Sequence, residues 1–409
     1  MPLSTMNPSG GSVSAPFLSV PRYTNTGIYT SSGGSKNSTS LNVESPVYST
    51  VDQTPALGDY QGYRVHVFNY DNVVKTLSKV KIAPSPTDLN SGTTLTYLNG
   101  AINGSVVNNA VLPAGTDVSD LDADDMFPGV LSLDYIEQAN IARSDSPGSF
   151  PLLYSRCLFT NGFRQLSAND PTWRTNTGMP FRSYGSSYDF VTGNNAATPS
   201  DSYFYMNTFV EFKYTKRVLN ILTVGDSTNQ GVGTTSGKWS IIDVAAQKAR
   251  QFSPNVHVAP LKFASSGRRA IGTYNSLSGI CSTMLRPNMV LLPSWTTNDG
   301  TSTVQFATSW YYLMKMLDLC ARNGIVPVVM TPPCFNGMTG SAITNWLAYR
   351  AKVLALSTSI LVFDLARYQG DPTTGTWMSG GTGDGTHPND TSTPIVGNAL
   401  YQDVVSRFV

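Results

Sequence analysis

From Lys216 onward the chain alternates short apolar runs with longer segments of helical spacing. That rhythm narrows the fold more than any other feature, because strands joined through helices build a parallel sheet covered on both faces. The apolar runs at 218–224, 256–263, 289–292, 325–330 and 360–365 read as strands. Between them, Trp239, Ile242, Ala246 and Ala249 recur at helical spacing within residues 239–252. Residues 304–323 form a longer helical stretch, closed by Gly324 as its C-terminal stop. Further helices are expected at 346–357 and 394–408. In such sheets ligands sit at the carboxyl ends of the strands.

The residues with reactive side chains fall at those ends. Gly225-Asp226-Ser227 follows the first strand, Ser266-Gly267 the second, and Asn298-Asp299 the third. Asp384 and His387 follow the last strand and a Gly-rich loop. A serine hydroxyl is a weak nucleophile until an imidazole within hydrogen-bond reach takes its proton. A carboxylate on the far side of that imidazole fixes its tautomer and stabilises the imidazolium. The chain has three histidines, His66, His257 and His387. His66 lies in an upstream β-rich stretch and His257 at the start of a strand, so His387 is the base available to Ser227. Taken singly, each residue has a plain structural reading, such as a serine capping a turn. Their joint placement at strand ends favours acyl transfer.

Competing motifs fail on single positions. An α/β-hydrolase elbow needs glycine where Asn229 stands, and a dinucleotide loop needs it at Ser236. A phosphate loop fails because Trp239 follows Gly237-Lys238. Asp120, Asp122 and Asp124 alternate as in a calcium loop, but Asp125 replaces the required glycine and Leu131 the final glutamate. That segment reads as an acidic surface loop. No metal and no cofactor is expected.

The order and spacing of Gly225-Asp226-Ser227, Gly267, Asn298 and Asp384-x-x-His387 resemble the SGNH (GDSL-type) hydrolase family over about residues 217–409. The resemblance implies a flavodoxin-like three-layer α/β domain. It makes Ser227 the nucleophile, His387 the general base and Asp384 its orienting carboxylate. It assigns the oxyanion hole to the N–H groups of Ser227 and Gly267 and to the Asn298 amide, and Asp226 matches the family's aspartate beside the nucleophile. Asp226, Trp295 and Arg268 are candidates for the substrate pocket. Two positions depart from the family pattern: Thr296 replaces a glycine, and Thr228-Asn229-Gln230 replaces an aliphatic stretch. Both changes are placed to reshape the pocket.

Upstream, residues 46–215 carry short strand-like runs punctuated by Asn-Gly pairs at 99–100, 103–104 and 161–162, which suggests an all-β sandwich or jelly-roll-like domain. Residues 1–45, rich in Ser, Gly, Asn and Thr, read as an extended low-complexity arm that could attach the chain to a larger assembly or a homo-oligomer. The domains expected are therefore 1–45, 46–215 and 216–409.

The 27 Lys+Arg balance 26 Asp+Glu, which argues against a nucleic-acid or anionic-membrane partner. Charged residues are 13% of the chain, against about 25% in an average soluble protein. That bias suits loop-rich extracellular or virion proteins. The four cysteines form no CxxC pair, and Cys320 reads as a buried thiol. Met1-Pro2-Leu3-Ser4 lacks the basic start and apolar core of a signal peptide. No apolar run nears the roughly 20 residues of a membrane span.

SGNH members include carbohydrate acetylesterases, and the β-rich middle resembles accessory modules of such enzymes. The expected function is removal of O-acetyl groups from a carbohydrate, for which a bacterial surface polysaccharide is the substrate and a bacteriophage tail the setting. The competing expectation is a glycan-binding or structural virion protein whose hydrolase fold no longer turns over.

Overall fold

The computed structural model describes residues 24–32, 48–55, 60–69, 73–85, 98–115, 129–141, 152–159, 166–168, 182–186, 204–206, 208–234, 240–253, 255–264, 266–282 and 287–409. The acidic loop at 120–125, the Asn161-Gly162 pair, Trp239 and most of the expected N-terminal arm lie outside these residues.

The main sheet contains β1 (Thr24–Ser32), β2 (Tyr60–Asn69), β3 (Thr208–Gly225), β4 (Val256–Ala264), β5 (Met289–Pro293), β6 (Val326–Met330) and β7 (Leu361–Phe363). Its parallel portion runs in the order β4-β3-β5-β6-β7. Counted along the chain that is 2-1-3-4-5, the flavodoxin-like order, which reverses direction beside β3 and opens a crevice at its carboxyl end.

Alternation along each strand sorts its side chains between two helical layers. Leu222 and Val224 of β3 pack with helices α3 (Ala270–Ser282), α4 (Thr303–Asn323) and α5 (Ser341–Leu354) through Leu277, Leu313 and Trp346. Leu219 and Ile221 face the other way, onto α2 (Ile241–Phe252), α6 (Leu365–Gln369) and α7 (Ser392–Asp403) through Ile242, Ala246, Leu365 and Leu400. Gly397 lets α7 approach α2, since a Cβ there would lie 2.3 Å from Val244 Cβ. Helix α4 begins at Ser302, whose hydroxyl accepts from Gln305 N, and ends at Gly324 in the left-handed conformation (φ +66°).

The expected boundary at 215/216 falls inside β3, an unbroken strand of 18 residues. Its first half pairs antiparallel with β2, Phe212 opposite Tyr63, and its second half pairs parallel with β4 and β5. The expected low-complexity arm contains β1, which pairs antiparallel with β3 at Ile28–Glu211 and parallel with β4 at Thr30–Leu261. Apolar side chains of β2 and β3 (Val65, Phe212) share a core with Leu77, Val80 and Ile82 of Lys75–Ser85. That last strand belongs to a second, antiparallel sheet with Tyr48–Pro55, Leu152–Phe159 and Arg182–Ser186. The Asn103-Gly104 pair forms the expected turn, both residues having positive φ. All four cysteines are buried and unbridged.

Candidate active site

At the end of β3 the backbone turns sharply. Gly225 has φ +135°, and a Cβ there would lie 2.2 Å from Asn229 Oδ1, so no other residue fits without displacement. Asp226 then caps a single helical turn, α1 (Ser227–Gln230), by accepting from Thr228 N at 3.0 Å. Gly231 closes that turn with φ +100°. Ser227 is thus held at the strand's carboxyl end, 6% exposed.

His387 reaches it from a loop 160 residues away in sequence. Its Nε2 lies 2.7 Å from Ser227 Oγ, and its Nδ1 lies 2.6 Å from Asp384 Oδ2. The other Asp384 oxygen accepts the N–H groups of Thr386 at 2.9 Å and His387 at 2.8 Å. Partial burial opposes ionisation of Asp384. The hydrogen bonds from the His387 backbone, the His387 ring and Thr386 N outweigh it and hold the carboxyl well below the usual carboxylate range. An ionised Asp384 accepts Nδ1–H, which leaves the Nε2 lone pair facing the serine hydroxyl. The side chains of His387 and Asp384 are 20% and 55% exposed, so the relay opens to solvent on one side.

Gly267 follows β4 with φ +82° and open space where a side chain would be. Asn298 lies on a short 3-10 turn, Thr297–Asp299, after β5 and is exposed. One hydrogen of its Nδ2 goes to the Arg268 carbonyl at 3.1 Å, which orients the second. The structure thereby joins the Gly267 and Asn298 segments.

The three pocket candidates sit differently from expectation. Trp295 is 1% exposed, donates Nε1–H to Gly300 O at 2.7 Å and packs against Phe306, so it lies in the core and lines no open pocket. Arg268 is 4% exposed and donates to Phe263 O at 2.7 Å, turned inward rather than toward a substrate. Asp226 is buried and engaged by backbone N–H groups. Nor do the departures from the family pattern line a pocket. Thr296 is buried, with its hydroxyl donating to Asp299 Oδ2 at 2.9 Å, and Gln230 Oε1 accepts from Ser266 Oγ at 2.9 Å.

The contacts of two residues escaped sequence reasoning. Gly233 has φ +96°, and a Cβ there would lie 2.7 Å from His387 Cβ. It gives the base its clearance, and no local pattern announces a contact 154 positions away. Asp299 accepts the N–H of Ala270, the first residue of α3. Its Thr-x-x-Asp spacing signals a capping box, but not that second partner. Among the described residues no group of three or more His, Cys, Asp or Glu side chains could hold a metal ion.

No protein-family model matches the sequence, and a search of curated proteins returns no relative. Solved structures do show a likeness. A psychrotrophic esterase from a Pseudoalteromonas species is 15% identical over 46% of this chain and 98% of its own, with a TM-score of 0.37. A member of the lipolytic G-D-S-L family from Veillonella parvula is 16% identical over 46% of this chain and 98% of its own, with a TM-score of 0.36. A Bacillus subtilis protein is 16% identical over 95% of this chain and 91% of its own, also at 0.36.

Proposed function

We propose that this chain is a serine ester hydrolase of the SGNH (GDSL) type, acting on O-acetyl groups of a carbohydrate. The observation that carries the reading is the continuous relay from Asp384 through His387 to Ser227, with both links at hydrogen-bond distance. As Ser227 Oγ attacks the ester carbonyl carbon, His387 Nε2 takes its proton. The oxyanion is received by the N–H groups of Ser227 and Gly267 and the free hydrogen of the Asn298 amide. Collapse expels the sugar alkoxide, protonated by His387, and leaves Ser227 acylated. Water, deprotonated by the same imidazole, then releases acetate and restores the serine. Each oxyanion donor is worth on the order of 100- to 1000-fold in turnover.

A carbohydrate substrate is supported by the solvent-open relay and by the β-rich region built onto the same sheet. The Ser/Gly/Asn-rich start and low charge support a bacterial surface polysaccharide as substrate and a phage tail as setting. Among the described residues no helix is long and apolar enough to cross a membrane. The test is acetate release from O-acetylated bacterial glycan by the wild type and by Ser227→Ala. The variant should lose on the order of 10⁴-fold or more in rate. Equal release by both proteins would remove the mechanism. Glycan binding with no ester product from either would favour a silent binding protein.

A further inference from the structure

The three oxyanion donors come from three separate segments, after β3, β4 and β5, and nothing in the sheet alone fixes the loops that carry them. Side-chain hydrogen bonds close a triangle among those loops. The β3 and β5 segments are joined by Asp226 Oδ2, which accepts Thr297 N at 3.2 Å and Thr297 Oγ1 at 3.4 Å. The β3 and β4 segments are joined by Ser266 and Gln230. The β4 and β5 segments are joined twice, by Asn298 to Arg268 O and by Asp299. Asp299 is the densest corner. Its Oδ1 and Oδ2 accept Ala270 N at 3.1 and 3.2 Å, and Oδ2 also accepts Thr296 N at 3.2 Å and Thr296 Oγ1 at 2.9 Å.

We propose that Asp299 is a positioning residue for the oxyanion hole: its carboxylate locks the Gly267-bearing turn to the Asn298-bearing turn, while Asp226 fixes the latter to the Ser227 turn. The proposal rests on the hydrolase reading. Asp299 immediately follows Asn298, and Ala270 lies three residues after Gly267, so one carboxylate holds both donors from behind without touching substrate. The surrounding groups are all donors, so an anion is the complementary partner. Burial pushes both Asp299 and Asp226 above the usual carboxylate range, opposed by these N–H and O–H donors. The structure retains two ionisable groups where a neutral cap would be cheaper to bury. An amide at 299 would keep the shape but turn an NH₂ toward N–H groups, loosening the corner. Donors placed about 1 Å off can lose on the order of 100-fold in rate.

The test compares wild type, Ser227→Ala, Asp299→Asn and Thr296→Val with 4-nitrophenyl acetate, following the acylation burst, KM, thermal midpoint and amide hydrogen exchange at 266–270. Asp299→Asn should acylate about 10- to 100-fold more slowly with KM changed less than about twofold, and lose protection at Ala270. Thr296→Val, which removes one donor and keeps the rest, should slow acylation by about threefold to tenfold and carries the test if Asp299→Asn does not fold. The pH profile of acylation should keep its shape, because the relay to His387 is untouched. Unchanged acylation in a folded Asp299→Asn, or a loss confined to KM, would overturn the positioning role and leave the hydrolase reading standing. No Ser227-dependent burst from the wild type would overturn both.

Discussion

Asp384 combines an open position with an ionised state. More than half its side-chain surface meets solvent, yet four donors from its own loop surround its charge. The base is thus oriented by a local turn rather than by a buried pocket. What keeps that turn near the serine is Gly233, whose missing side chain leaves room for His387 and Pro388. Gly233→Ala should lower kcat for a small acetate ester by about 10- to 100-fold while the circular dichroism spectrum stays native, because both the left-handed backbone and the contact resist a Cβ. Full activity would mean that the histidine loop tolerates displacement. The meeting of Ser227, His387 and Asp384 was legible in the sequence because their residue types, order and spacing form a chemically constrained pattern. The contact of Gly233 with His387, the bond from Ala270 to Asp299 and the burial of Trp295 and Arg268 were not, since each is decided by partners remote along the chain.

At the level of elements, helix α2 is held to the sheet by a buried ion pair as well as by its apolar face. Asp243 accepts from Ser240 N at 2.8 Å to cap the helix, and the same Oδ2 receives Lys262 Nζ of β4 at 2.8 Å. Both side chains are fully enclosed. Removing one member of such a pair strands the other charge in the core. Lys262→Met should therefore cost about 3–5 kcal/mol in urea unfolding; a loss below about 1 kcal/mol would mean that water reaches Asp243. Periodicity located α2, α4 and α7 to within a few residues. It gave no sign of α3, whose Gly, Ser and Thr residues blur the apolar stripe, although Leu277 and Ile280 are core residues. Nor did it reveal that β1 joins the same sheet or that β3 crosses the expected border, because the polar run Thr215-Lys216-Arg217 interrupts the apolar pattern inside that strand.

For the molecule as a whole, acid is the informative stress. Glu211, on the antiparallel half of β3, accepts from Arg64 Nη2 at 2.6 Å, His66 Nε2 at 2.9 Å and Tyr135 OH at 2.5 Å. Burial opposes its charge, but these donors bring its pKa from 4.5 to about 2. Its folded form binds fewer protons than its unfolded form, so its contribution is complete above pH 4.5 and drains away as pH falls toward 2. The amount is on the order of 3 kcal/mol. His66, lowered from 6.5 by burial, begins to cost stability already as pH drops below 6.5. Asp226 and Asp299 run the opposite way, because their raised values favour the folded state as they protonate. Glu211→Gln should flatten the fall in unfolding free energy between pH 4.5 and 2, measured by chemical denaturation at each pH. An unchanged slope would place the acid sensitivity elsewhere.

The unbroken run of Thr208–Gly225 also dictates how the polypeptide can be trimmed. A fragment beginning at residue 216 would lose the antiparallel half of that strand together with Tyr60–Asn69, and would uncover Val218 and Ala259, which share the core of that half. The smallest piece that still hydrolyses an ester should accordingly retain much of the β-rich region, as a lever keeps working only with its fulcrum attached.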